Sequence, residues 1–251
     1  MSNYKLIFVE GLPGTGKSTL SERIFKLLVN QGVSAELLLE SNEKLPSSFW
    51  HVAGIPKSNF TNLFVNDAII KETDNYFFVD MRKCTEESAK DLQRYDVGNE
   101  YNKYISSQEY ARCTLEWWRS WASDIATESV LILDSAFLQC PINEMIFRGS
   151  SDKDITVYIQ AIAETIKPFN PICIYLRREN AKIAIDFAKA AKGEHWAKGI
   201  DELLSQLGCS DVFERRFCLE QSLLSLIPNI VCNINGYDWS DVEAKIHDLV
   251  V

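Results

Sequence analysis

Gly11-Leu12-Pro13-Gly14-Thr15-Gly16-Lys17-Ser18 decides how this chain is read. The eight residues fit the pattern G-x-x-x-x-G-K-[ST], a turn whose backbone amides wrap a polyphosphate. Glycines at 11, 14 and 16 let the backbone take positive φ and bring successive N–H groups close to phosphate oxygens. Lys17 adds a mobile point charge for the β and γ phosphates, and the Ser18 hydroxyl is suited to ligate Mg²⁺. Pro13, Thr15 and Thr19 complete the candidate nucleotide-binding set. The flanks agree with this reading. Tyr4 to Glu10 is a short apolar run that predicts a buried strand. After the loop, Leu20, Ile24, Leu27 and Leu28 recur at helical spacing, and Gly32 closes the helix. The positive end of that helix faces the same anion.

Working outward, further apolar runs predict strands at 34–40, 130–134, 171–176 and 229–234. Helical patterns are expected at 155–166, 181–192 and 211–226, with a last helix from Asp241. Ser106 and Glu109 form a capping box that opens a helix through about Ala122. Residues 41–60 read as a loop, and 64–70 and 76–81 as two strands or a helix and a strand. Buried strands alternating with helices predict an α/β fold, a three-layer parallel sheet with helices on both faces. The 251 residues are expected to form a single domain, with a mainly helical insertion over roughly 41–129.

Composition narrows the function. With 26 Lys and Arg against 35 Asp and Glu, the formal net charge of −9 argues against broad contact with nucleic acid or anionic membrane. No run approaches the ~20 apolar residues that span a bilayer, and nothing at the start reads as a signal peptide. Seven cysteines, an odd number without a C-x-x-C pair, read as reduced thiols filling the core. The expected compartment is a reducing cytoplasm. The three histidines lie far apart, so no zinc framework is expected.

The motif, extended to G-L-P-G-T-G-K-S-T, resembles the P-loop NTPase superfamily and within it the kinases of nucleosides, nucleotides and small metabolites. A looser resemblance, to bacterial P-loop kinase-like proteins of this length, runs through L-E-W-W-R-S-W, L-D-S-A-F-L-Q-C-P-I-N-E and P-I-C-I-Y-L. The resemblance implies ATP and Mg²⁺ as cofactors and a small molecule as partner. It also implies a second carboxylate for the metal at the end of a buried strand, and Asp134 closes Val130-Leu131-Ile132-Leu133-Asp134. Thymidylate and deoxynucleoside kinases carry Asp-Arg or Glu-Arg here, whereas this chain has Asp134-Ser135. A similar acidic residue accepts the substrate proton in deoxynucleoside kinases. Glu40 at the end of the second strand is the candidate base, Asp80 the reserve, and Glu10 is expected to structure the loop. A lid with arginines near R-x-x-R-G is matched by Lys189-x-x-Lys192-Gly193, so Lys189, Lys192 and Arg178 are the candidates to close on the transferring phosphate, in a segment over roughly 177–194.

The helix around Trp117, Trp118 and Trp121 admits two readings. One is an aromatic substrate wall with Arg112 or Arg119 holding an anion. The other, preferred on the pattern, is a core helix whose arginines pair with Glu109 and Glu116. The function expected is an ATP- and Mg²⁺-dependent phosphotransferase acting on the hydroxyl of a small molecule. A nucleotide-binding switch or scaffold, or a P-loop ATPase, is the alternative. Guanine preference has no support, since Asn102-Lys103-Tyr104-Ile105 lacks the Asp of N-K-x-D. A kinase requires an enclosed second pocket beside the phosphate loop, and a switch does not.

Overall fold

In the computed structural model, residues 4–60, 66–99, 102, 104–125, 128–207, 211–236 and 238–250 are described. The apolar runs become β1 (Leu6–Glu10), β2 (Ala35–Leu38), β6 (Val130–Asp134), β7 (Pro171–Arg177) and β8 (Asn229–Asn233). They form one sheet in the order β2-β6-β1-β7-β8, with every neighbouring pair parallel. Its centre is β1, where Ile7 sits level with Ile132 on one side and Ile172 on the other.

Side chains alternate across the sheet, as the two-residue period of a strand requires. Ile7 and Val9 face α1 (Lys17–Asn30) and α9 (Ser240–Val250), packing with Leu20, Ile24 and Ile246. Leu6 and Phe8 face the opposite way, into a larger core with Trp118, Ile159 and Leu223. That layer is built by α3 (Ser107–Asp124), α4 (Gln139–Phe147), α5 (Asp152–Ile166) and α8 (Val212–Leu223). Both faces are therefore dry, which is why the strands read as continuous apolar runs. This is the three-layer α/β arrangement expected, with the phosphate loop following the central strand.

The 41–129 segment holds more helix than strand. Besides α3 it carries α2 (Glu86–Leu92) and several single 3₁₀ turns. It also carries a small antiparallel sheet in the order β3-β5-β4, formed by β3 (Val52–Pro56), β4 (Ile69–Glu72) and β5 (Tyr76–Asp80). The expected loop over 41–60 thus contains a strand. Gly54 and Pro56 disguise it, because both are depleted in strands. Pro56 is tolerated at the end of an edge strand. A Cβ at Gly54 would run into the Cys113 sulfur of α3, so that helix crosses where the side chain is missing. Part of the expected 64–70 element lies outside the described residues, as does Cys209. After β7 come α6 (Ala181–Lys192) and α7 (Glu194–Leu207), joined at Gly193. Among the described residues no helix is long and apolar enough to cross a membrane.

Candidate active site

The phosphate loop links β1 to α1. Gly11, Gly14 and Gly16 all have positive φ, at 138°, 78° and 91°. Gly14 also lacks room for a side chain: a Cβ there would lie 2.7 Å from the Ala188 nitrogen and 2.8 Å from the Ala184 carbonyl. The loop is seated against the backbone of α6. Thr15 Oγ1 donates to the Leu12 carbonyl at 2.8 Å and closes the turn from inside. Pro13 is half-buried within it, and Thr19 is exposed on the first turn of α1.

Lys17 is buried and folds back so that Nζ donates to the Leu12 carbonyl at 3.2 Å. Burial pushes its pKa down, the Asp134 carboxylate pulls it up, and the Arg216 guanidinium again lowers it. Ser18 Oγ donates to Asp134 Oδ2 at 2.6 Å, joining the loop to the end of β6. The other carboxylate oxygen accepts from Ser135 Oγ at 2.8 Å. Asp134 has no exposed surface, whereas Ser18 is exposed. One hydroxyl and one carboxylate, both hard oxygens beside a phosphate cradle, fit Mg²⁺ that draws its remaining ligands from phosphate and water. Among the described residues no three His, Cys, Asp or Glu converge on a common ion.

Glu40 lies two residues past the end of β2, beyond the strand the sequence predicted to include it. Its carboxylate accepts from Gln139 Nε2 at 2.9 Å. A cavity of about 490 Å³ opens beside it, lined among others by Ser18, Glu40, Phe49, Asn143 and Glu144. Ser18 and the candidate base Glu40 therefore share one cavity. Glu10 alternates with Leu6 and Phe8 on the larger-core face of β1. Its carboxylate accepts the N–H groups of Phe137, Leu138 and Gln139 at 2.6, 3.1 and 3.0 Å, capping the entry to α4. Burial raises its pKa from 4.5 to about 7 against the lowering effect of those amides.

Several groups at this centre were not singled out in the sequence. Arg216, on α8, is wholly buried and donates to Glu220, Asn143, Gln139 and the Gly11 carbonyl. Tyr175 donates to Glu220 at 2.6 Å, completing the network. A signal for it was present: Arg216 and Glu220 are four apart and sit in the apolar stripe with Val212, Leu219 and Leu223. A charged pair on the buried face of a helix is uncommon enough to mark a site.

The lid candidates are placed differently from one another. Arg178 is brought to the phosphate loop. Its guanidinium donates to the Gly14 carbonyl at 3.2 and 3.3 Å and to the Gly236 carbonyl at 3.1 Å, and stacks on Phe187 at 3.8 Å. Lys189 pairs with Asp201 of α7 at 2.7 Å, and Lys192 lies over the Trp196 ring at 4.9 Å. Both lysines are thus engaged with α7 in this conformation. Asp80 is held by Arg82, whose hydrogen bonds keep its carboxyl below the usual range. On α3, Trp118 is fully buried in the core and Arg112 pairs with Glu109. Glu116 turns instead to Thr73 and Asn75 of the insertion, which departs from the expected pairing with Arg112.

No family model matches the chain, and no curated protein matches it in sequence. Among solved structures the chain is similar to thymidylate kinase from Candida albicans, at 14% identity and a TM-score of 0.43, covering 100% of this chain and 92% of that one. A likeness at that level carries no argument about substrate. The fold assignment rests on the parallel sheet and on the loop that follows its central strand.

Proposed function

We propose that the chain is a phosphotransferase that uses ATP and Mg²⁺ to phosphorylate a hydroxyl of a small molecule, built as one domain with 41–129 on the acceptor side. The observation that carries this reading is the cavity lined by both Ser18 and Glu40. It is half open to solvent rather than enclosed as expected, and it offers room for an acceptor next to the phosphate loop, which a nucleotide-binding switch does not need. Backbone amides of residues 11–18 hold the polyphosphate, and Lys17 swings from Leu12 to the β and γ oxygens. Ser18 and Asp134 hold Mg²⁺, which when bound neutralises charge on the transferring group. Glu40 takes the hydroxyl proton as the new O–P bond forms and the bond to the leaving ADP oxygen breaks. Gln139 steadies Glu40 by donating to one of its oxygens. Arg178 keeps the loop in shape from behind, and Lys189 and Lys192 reach the phosphate only if α6 and α7 part.

The test is a metabolite library incubated with labelled ATP, with Lys17→Ala as the blank. Transfer to an acceptor that vanishes in the variant is expected. Unchanged ATP binding and turnover in Lys17→Ala would end the assignment.

A further inference from the structure

Helix α8 carries a guanidinium into the interior, and what it binds constrains the cavity wall. Arg216 Nη1 donates to Asn143 Oδ1 at 3.0 Å, and Nη2 donates to Gln139 Oε1 and the Gly11 carbonyl, each at 3.3 Å. Nε donates to Glu220 Oε1 at 2.8 Å. An arginine has donors only. Gln139 and Asn143 must therefore both turn their amide oxygens toward it and their NH₂ groups away. For Gln139 the result is visible, because Nε2 donates to Glu40. For Asn143 the NH₂ group is the end turned from Arg216, and the residue lines the cavity.

We infer that Arg216 sets the polarity of the acceptor pocket, fixing Asn143 as a donor beside Glu40 as an acceptor, so that the pair binds an uncharged polyhydroxy compound. This deepens the phosphotransferase reading and rests on it. A donor and an acceptor side by side match two hydroxyls of one molecule, one giving its proton to Glu40 and one accepting from Asn143.

Charge on the described wall disfavours a phosphorylated acceptor. The charged side chains among its described lining are both carboxylates, Glu40 and Glu144. Arg148 pairs with Glu144 at 3.2 Å but is buried behind it. Its guanidinium donates to the carbonyls of Val97 and Asn99 and lies over the Tyr110 ring. A phosphate monoester would thus meet carboxylates where such ligands normally meet an arginine fork.

Matched pairs test the idea: adenosine with AMP, uridine with UMP, glucose with glucose 6-phosphate and ribose with ribose 5-phosphate, each offered with labelled ATP. The uncharged member is expected to lead within a pair by about a hundredfold in kcat/KM. Asn143→Asp keeps an oxygen for Arg216 and removes the donor. It should raise the acceptor KM about tenfold or more while leaving the ATP KM unchanged. Gln139→Glu also keeps its oxygen for Arg216 but sets a second carboxylate against Glu40. It should move the acidic limb of the kcat–pH profile up by about a unit, a shift that a purely structural residue does not produce. Preference for the phosphorylated members, or an acceptor KM unmoved in Asn143→Asp, overturns the pocket assignment alone. Failure to phosphorylate any member, with ATP binding intact, overturns the kinase reading and this inference with it.

Discussion

Asp134 and Glu10 are two carboxylates buried at neighbouring strand ends, and their surroundings give them opposite tasks. Asp134 receives hydroxyls on both oxygens, one of them from the phosphate loop itself. Asp134→Asn preserves size and an oxygen for Ser18 but removes the charge. Turnover should fall about 10–100-fold, with a higher Mg²⁺ concentration at half-maximal rate. Full activity at an unchanged Mg²⁺ midpoint would remove Asp134 from the metal site. Glu10 receives three backbone amides. Because burial raises its pKa from 4.5 to about 7, the folded chain binds more protons at this group than the unfolded chain between those values. Its share of stability is therefore full below pH 4.5 and is lost as pH rises through about 7. Glu10→Gln should flatten that decline in urea midpoints measured across pH 4–8. It should also lower stability overall by about 1–3 kcal/mol, because an amide NH₂ cannot accept the Gln139 N–H. A decline as steep as that of the wild type would assign the pH dependence elsewhere.

At the scale of elements, the loop and α6 are one unit, because the Gly14 backbone touches the backbone of Ala184 and Ala188. Gly14→Ala places a methyl group inside that contact at a φ of 78°. It should destabilise the fold by about 1–3 kcal/mol and weaken ATP binding disproportionately. Thermal melts with and without nucleotide would show a shrunken ligand-induced shift; an unchanged shift would mean that the loop tolerates being pushed off α6. The same elements show what was legible in the sequence. β1, β6 and β7 were readable because strands buried on both faces announce themselves as apolar runs, and the phosphate loop because its glycines sit at fixed offsets. β3 was hidden by Gly54 and Pro56. α4 was missed because Pro141 lies in its first turn, where proline is tolerated but looks like a breaker. The pairing of Arg216 with Gln139 spans 77 residues of sequence, and no local pattern encodes a contact at that distance. Glu40 is a candidate because the sequence pattern ends the second strand on it, while Gln139, the side chain that donates to it, carries no local signal.

Across the whole molecule, the two faces of the sheet divide the work. The α1 and α9 face is closed by a small aliphatic core. The opposite face carries the larger core, the insertion and the cavity. Segments distant in sequence meet at the loop from three directions: Asp134 from β6, Arg216 from α8, and the stretch between β8 and α9. That last stretch has a consequence for how the chain tolerates alteration near its far end. Trp239 lies so close over Gly16 that a Cβ would collide with its ring, and Arg178 ties Gly14 to Gly236. The closing residues thus act as a splint for the opening ones. A deletion that begins at Gly236 should first be felt as a looser grip on nucleotide, read by calorimetric titration with ATP, while the cavity on the opposite face keeps its shape.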